Sequence, residues 1–558
     1  MRDALAAYVS RYWRGGRRKA LRGWEEIRWR GSGKIQFWLI ALVLGTAAGL
    51  AAVGFRQAII LLQETVYGEN DAALASHAAE LHWTWIVIIP VLGGLVVGFI
   101  LHLFTPDGRA RTVAHVIEGA ALRDGRVEMR AGLASALASL VTLCTGGSTG
   151  REGPVVHIGA VISSWISERI NADGMTGRDL LGCAAAAAVS ASFNAPIAGA
   201  LFALEVVLRH FAVHAFAPIV IASVAGAVVA RLLVGDVTEF MLPAHTLAFY
   251  VELPAFMILG LICGAVAAVM IWGIIAAEDL GDLVQEQTGM PRWLRPAVSG
   301  LLLGLIAVAF PHIIGVGYET TTRALTGNIL IWPAVAFVAV KIIAVAITVA
   351  GRMGGGVFSP SLMVGALTGL AFGYVATAIF PAVSGAVGLY ALAGMGAVAA
   401  AVLGAPISTT LIVFELTGDW QTGLAVMVAV SLSSSLCSRL VDRSFFLATI
   451  ERRGVHLAAG PQAYLPATIS VGRLMRVRGG EGSVSDTMCQ ELVDQDVFLR
   501  RSDTLETALP LFDRVGEDFL PVVTAGEDGD ELIGAIFHVD ALKAYNRALA
   551  ETAREEHS

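Results

Sequence analysis

A chain of 558 residues, 56% hydrophobic and only 15% charged, is too apolar for an ordinary soluble domain, where charged residues make up about 25%. Most of it therefore belongs in lipid. The five cysteines, Cys144, Cys183, Cys263, Cys437 and Cys489, are scattered and never closely paired, which argues against a disulfide framework or a metal site and for small packing residues.

The first 34 residues carry ten Arg or Lys against three acids and directly precede an apolar run, so the positive-inside rule places the N-terminus in the cytoplasm. Trp13, Trp24 and Trp29 interleave with these cations, and no compact apolar core with a cleavage site follows. Residues 1–34 thus read as an interfacial amphipathic segment rather than a signal peptide. Because the whole chain has a net charge of -7, the expected partner of this segment is anionic lipid and not nucleic acid. Beyond it, Ile35–Val53, Trp83–Phe104, Ala212–Leu233, Leu253–Ala277, Pro296–Phe310 and Ile331–Ala350 are long enough, or nearly so, for spans of roughly 20 residues.

Two short patterns recur in the same order. Gly150-Arg151-Glu152-Gly153-Pro154 precedes Ala195-Pro196-Ile197 and Glu205, and Gly356-Val357-Phe358-Ser359-Pro360 precedes Ala405-Pro406-Ile407 and Glu415, at offsets of 206 and 210 residues. This is the mark of an internal duplication, with repeats over about 35–235 and 250–450. Glycine and proline cluster inside otherwise apolar stretches at Gly146–Pro154, Asn194–Gly199, Gly351–Pro360 and Gly404–Pro406. Irregular backbone at membrane depth is tolerated only where protein or a water-filled cavity satisfies it, so an interior polar pathway is expected. Small residues such as Ala184–Ala188 read instead as sites of close helix packing.

An anion stripped of water needs positive potential without full charges that would trap it. Helix starts supply that potential through free N–H groups and the macrodipole. Pro154 and Pro360 are placed to begin helices, which makes the amides near Arg151 and Gly153, and those of Val357 and Phe358, candidate anion cradles. Glu152 lies within the first such loop, where its ionised carboxylate would compete with an anion and its protonated form would let go. It reads as the gate rather than as a simple partner of the helix dipole.

Residues 147–154, Gly-Ser-Thr-Gly-Arg-Glu-Gly-Pro, resemble the gating-glutamate motif of the CLC family of chloride channels and proton/chloride exchangers. Gly356–Pro360 is similar to that family's Gly-x-Phe-x-Pro motif, and Phe193–Pro196 and Phe414–Gly418 match two further landmarks in the right order. The resemblance covers roughly residues 36–450. It implies an all-α polytopic membrane protein with two inverted repeats of tilted and broken helices, assembled as a homodimer with a pore in each subunit. Chloride or a similar small anion would be the transported ligand, and the location the bacterial inner membrane with both termini cytoplasmic.

Three departures from the family pattern bear on mechanism. The family's Gly-Ser-Gly-Ile-Pro is absent, and the register puts Arg111, or with a one-residue shift Thr112, at the position of its chloride-coordinating serine. The central tyrosine is replaced by Phe446 in Ser444-Phe445-Phe446. The position of the exchangers' inner proton glutamate is Val206, beside Glu205. This last difference favours a gated channel over a proton-coupled antiporter, or a fluoride-selective exchanger, as the expected activity. His210 and His214 nearby read as ordinary packed or interfacial residues. An enzyme is not expected, since neither a His-Glu-x-x-His zinc motif nor a phosphate loop occurs.

After about Gly454 the chain turns polar, and residues 455–558 read as a small cytoplasmic α/β domain. Strands are expected at Phe519–Val523 and Leu532–Phe537, with Thr524–Asp530 as the turn between them. Helices are expected at Thr504–Val515, capped by Ser502 or Asp503 and containing an awkward Pro510, and at Val539–Ala550. The segment resembles a degenerate, truncated CBS module. Phe537 replaces the usual Thr or Ser ahead of Asp540, the residue that can hold a ribose, so a structural role is expected rather than nucleotide binding.

Overall fold

The structure is a computed structural model that describes residues 34–235, 252–381, 384–455, 465–480, 483–495, 497–501, 503–526 and 529–556. The basic segment expected before Lys34, and Ser502, lie outside the described residues. Two compact units emerge, one running to Leu208 and resuming over Phe216–Val455, the other comprising Arg209–Ala215 and the tail beyond Val455.

The first unit lays down two matching series of helices. Lys34–Tyr67, Trp83–Phe104, Val113–Leu122, Met129–Cys144, Glu152–Arg169, Gly174–Phe193, Pro196–Phe202 and Val213–Val234 form one series. Leu253–Thr288, Arg295–Ala309, Tyr318–Leu325, Ile331–Ala350, Phe358–Ile379, Val387–Leu403, Pro406–Thr417 and Trp420–Leu440 repeat it, followed by Phe445–Glu451. Seven helices among the described residues are long and apolar enough to cross a membrane. The spans at Trp83–Phe104 and Ile331–Ala350 fall where hydropathy puts them, whereas the first runs on to Tyr67 and the fourth to Thr288. Apolarity marks only the lipid-facing part of a helix, and Leu253–Thr288 continues through polar residues until Gly289 adopts φ 65°.

The broken helices have local causes. Asn194 and Gly404 take left-handed conformations, φ 57° and 70°, that end Gly174–Phe193 and Val387–Leu403. Pro196 and Pro406 then restart the chain, because a proline in the first turn sacrifices no needed N–H. In the first series the restarted helix passes into a π-helical turn, Ala203–Leu208.

The two series meet about an approximate twofold axis, which is visible as reciprocal contact. A Cβ added at Gly94 would collide with Pro296, and one added at Gly300 would collide with Pro90, so the backbones of Trp83–Phe104 and Arg295–Ala309 cross at van der Waals distance. Glu205 accepts from the amides of Ile407 (2.9 Å) and Ser408 (2.8 Å), while Glu415 accepts from those of Ile197 (3.0 Å) and Ala198 (2.8 Å). Each carboxylate thus caps the helix restarted in the other repeat. Ala184–Ala188 is wholly buried, and its small side chains admit Gly159 and Gly226.

In the second unit, β1 (Arg476–Val477), β2 (Leu499–Arg500), β3 (Phe519–Gly526) and β4 (Gly529–Phe537) form one mixed sheet in the order β1-β4-β3-β2. β2 and β3 are parallel and the other pairs antiparallel. The turn expected over Thr524–Asp530 is shorter, because Thr524, Ala525 and Gly526 pair with Glu531, Asp530 and Gly529 and lengthen both strands. The helix at Leu505–Val515 follows Thr504 rather than Asp503, whose carboxylate accepts from the amide of Arg500 (2.7 Å). Pro510 stays within that helix on its exposed face. His538–Glu556 extends beyond the expected Val539–Ala550, and Asp540 receives Arg476 Nη2 at 2.8 Å. The carboxylate suggested for a ribose is therefore engaged within its own unit.

Candidate functional site

The two glycine-rich loops of the duplicated pattern lie against each other. Gly150 donates to the carbonyl of Gly356 (2.7 Å) and Gly356 donates back to that of Gly150 (2.9 Å), an isolated antiparallel bridge at the pseudo-twofold axis. Thr149 Oγ1 also donates to Gly356 O (2.9 Å). Gly355, at φ 140°, has to be glycine, since a side chain there would run into Thr149.

Helices leave this bridge in both directions. They begin at Glu152 and Phe358, two residues before the prolines expected to start them. The third position of a helix also needs no intrahelical N–H partner, which is why Pro154 and Pro360 are accommodated there. Among the described residues the amides of Gly153, Val357 and Phe358 meet no protein acceptor, so three N–H groups remain for an anion. The ring of Phe358 packs on Phe193 with centroids 4.9 Å apart.

Glu152 is 3% exposed. Its Oε1 accepts from Tyr318 Oη at 3.3 Å and from Ser359 Oγ in a very short bond. Its Oε2 has no hydrogen-bond partner and lies where a Cβ on Gly150 would come within 2.6 Å. Two hydroxyls thus converge on one carboxylate oxygen. Arg151 turns away from the loop amides, with its guanidinium 5.0 Å from the centroid of the Tyr318 ring and Nη2 donating to Ser192 O at 3.4 Å. It supports the tyrosine that contacts Glu152.

A cavity of about 100 Å³ adjoins the bridge, with Thr112, Gly153, Gly356, Val357 and Phe446 in its lining. It has room for about three waters. Arg111 is not part of its wall. Its guanidinium pairs with Asp107 (2.7 Å) and Glu128 (3.0 Å), because the turn before Val113–Leu122 points successive side chains in different directions. The position given first to Arg111 is thus filled toward the cavity by Thr112. Arg109, Arg352 and Arg453 line the mouth, each paired, with Glu278, Asp282 and Glu118 respectively. His210 and His214 do not line the cavity, and Val206 is buried in the π-helical turn.

Sequence reasoning did not identify Tyr318, the role of Ser359, or Lys341. Lys341 is fully buried, and its Nζ donates to the carbonyls of Ile313 and Gly315, both at 3.2 Å. These bonds fix the loop that turns through Gly317, at φ 91°, into Tyr318. Two signals were present: a lone lysine in the span Ile331–Ala350, and Gly315-Val316-Gly317 just before a tyrosine. An intramembrane ionisable residue marks a candidate functional position.

Two helical repeats folded about a twofold axis, with a carboxylate seated where their loops touch and a cavity beside the bridge, define a multi-pass membrane protein. The chain belongs to the voltage gated chloride channel family, the CLC family, whose family model matches residues 93–438. It is 32% identical over 418 residues to chloride channel protein CLC-f of Arabidopsis thaliana, a match covering 71% of this chain and 53% of that one, so the chain spans about half the length of this plant relative. The voltage-gated ClC-type chloride channel ClcB of Escherichia coli is 29% identical over 409 residues, covering 73% of this chain and 96% of that one. The structure resembles that of a slow cyanobacterial Cl-/H+ antiporter with a TM-score of 0.67 at 20% identity, over 76% of this chain and 98% of that one. A eukaryotic CLC transporter gives 0.65 at 19% identity, over 90% and 97%.

Proposed function

We propose that the protein carries chloride or a similar small anion across the bacterial inner membrane, through a glutamate-gated pathway in each subunit of a homodimer. The observation that carries this reading is the seat of Glu152: a buried carboxylate held by Ser359 and Tyr318 above a cavity that ends at the unengaged amide of Val357. With the carboxylate seated, the path is occupied by the protein's own anion. Proton uptake cancels the charge, weakens both hydroxyl bonds and frees the position for a mobile anion. Thr112, the one hydroxyl among the predicted ligands, faces the cavity, and Phe446 offers none. The central site therefore leans on backbone amides, a weak-binding arrangement suited to rapid passage. The ten basic residues before the first span support cytoplasmic termini.

A gated channel is favoured over proton-coupled exchange by two features. Val206 cannot carry a proton, and the neighbouring carboxylate of Glu205 is engaged by the amides of Ile407 and Ser408. Purified protein in liposomes separates the two readings: the channel predicts that a chloride gradient dissipates without moving protons uphill. Uphill proton movement would establish the exchanger, and a failure of chloride to move while fluoride does would reassign the anion. The second unit is proposed to play a structural role.

A further inference from the structure

Apart from the anion pathway there is an open cleft of about 880 Å³, formed by the end of Trp83–Phe104, the turn after it, the start of Met129–Cys144 and the segment Pro291–Trp293. Its cations are Arg130 and Arg292, with His102 beside them, and the one acid of its lining is Glu128. Glu128 is already neutralised by Arg111 (3.0 Å) and Arg123 (3.3 Å). Arg130 and Arg292 take part in no ion pair among the described residues. The Arg130 guanidinium is stacked 5.5 Å from the centroid of the Phe104 ring, which holds its plane while leaving its N–H edge open. The stem of Arg292 rests beside Gly108.

The adjoining wall is apolar and turned outward. Phe99, Leu103 and Phe104 are exposed, and Phe99 packs on Trp293 with ring centroids 5.5 Å apart. Because Trp83–Phe104 is one of the membrane-length helices, its terminal residues sit at headgroup depth and the exposed aromatics face acyl chains. Two guanidiniums of unbalanced charge thus adjoin a hydrocarbon-facing aromatic strip, a pairing that matches a molecule with a phosphate at one end and apolar chains at the other.

We propose that this cleft binds one anionic phospholipid per subunit, its phosphate between Arg130 and Arg292 and an acyl chain along Phe99, Leu103 and Phe104. Free phosphate shares the headgroup chemistry but would make no use of the aromatic strip. The inference stands apart from the identity of the transported anion, since none of its residues lines the cavity below Glu152.

Native mass spectrometry of the full chain in detergent tests it, with phosphatidylglycerol, phosphatidylcholine of the same acyl chains, and inorganic phosphate each titrated separately. The expected result is saturable retention of one phosphatidylglycerol per subunit above any background shared with phosphatidylcholine. R130Q/R292Q should weaken that retention by about tenfold or more, a loss of two charge-assisted contacts, whereas R130K/R292K should keep it. Equal retention of the two lipids, undiminished retention in R130Q/R292Q, or displacement of the lipid by equimolar inorganic phosphate would overturn the proposal. If R130Q/R292Q does not fold, the single variants R130Q and R292Q carry the same comparison.

Discussion

Replacing Ser359 by Ala removes the hydroxyl that makes the shortest bond to the gate carboxylate while leaving the helix start intact. A hydrogen bond to a charged group contributes about 1.5–3 kcal/mol, and each 1.36 kcal/mol of differential stabilisation moves a titration midpoint by about one unit. The lost bond favours the ionised, seated form of Glu152, so its removal eases proton uptake and release. Chloride flux in S359A should therefore switch on at a pH about 1–2 units higher than in the wild type. Y318F loses a longer bond of 3.3 Å and should shift in the same direction by about one unit or less. The double variant should shift by less than the sum, because both hydroxyls address the same oxygen, Oε1. The assay is chloride efflux from liposomes over a pH series, with S361A as control, since Ser361 Oγ donates to Val357 O and does not touch Glu152. An S359A curve that overlays the wild type, or moves toward acid, would refute the seat.

E152Q should mimic the protonated gate and flatten the pH dependence of flux; an unchanged dependence in the same efflux assay would count against the gate. F446Y adds a phenolic donor to the cavity wall and should tighten chloride binding by roughly 1 kcal/mol, or about fivefold, while T112V should weaken it and R111Q leave it nearly unaltered, all read by calorimetric titration. E205Q and E415Q should each destabilise the protein by about 1–3 kcal/mol through loss of charged helix caps, and thermal melting in detergent should show similar losses because the two caps are twofold equivalents. K341M strands two buried carbonyls at a cost of about 1–3 kcal/mol each and should misplace Tyr318, so melting temperature and flux should fall together.

Much of the scaffold was legible because it depends on local rules. Hydropathy locates spans, and a proline after an αL residue restarts a broken helix at both Asn194-Ala195-Pro196 and Gly404-Ala405-Pro406. The duplicated pattern aligns Gly150 with Gly356, and the fold joins these two equivalents by hydrogen bonds. The site was less legible where one-dimensional register had to decide direction. Arg111 and Thr112 are neighbours in sequence, but one turns to Asp107 and Glu128 and the other to the cavity. Glu205 was a candidate on the proton path because of what stands beside it, whereas its use is set by amides more than two hundred residues away. Tyr318 carries no local mark of its role, which arises only when the loop held by Lys341 delivers it to Glu152.

The twofold scaffold also explains how a gate can be built from a duplicated sequence. A perfectly symmetric bridge at Gly150 and Gly356 would present the same chemistry from both repeats, either two carboxylates, which repel across a short distance, or none. The repeats diverge at the positions that follow the bridge: Glu152 in the first, Phe358 in the second. Under the proposed gating the first repeat supplies the mobile charge, and the second supplies Ser359 to hold it and the amides of Val357 and Phe358 to receive what replaces it. Symmetry fixes the distance between the two helix starts, and under the proposed gating the single acidic difference is what makes the pathway switchable. Exchanging the residues, with E152F in the first repeat and F358E in the second, should move the carboxylate away from Tyr318 and Ser359 and so abolish the pH dependence even though composition is unchanged. Flux in that variant that still switches with pH as in the wild type would mean that the surroundings of Glu152, and not its place in one repeat alone, are dispensable to gating.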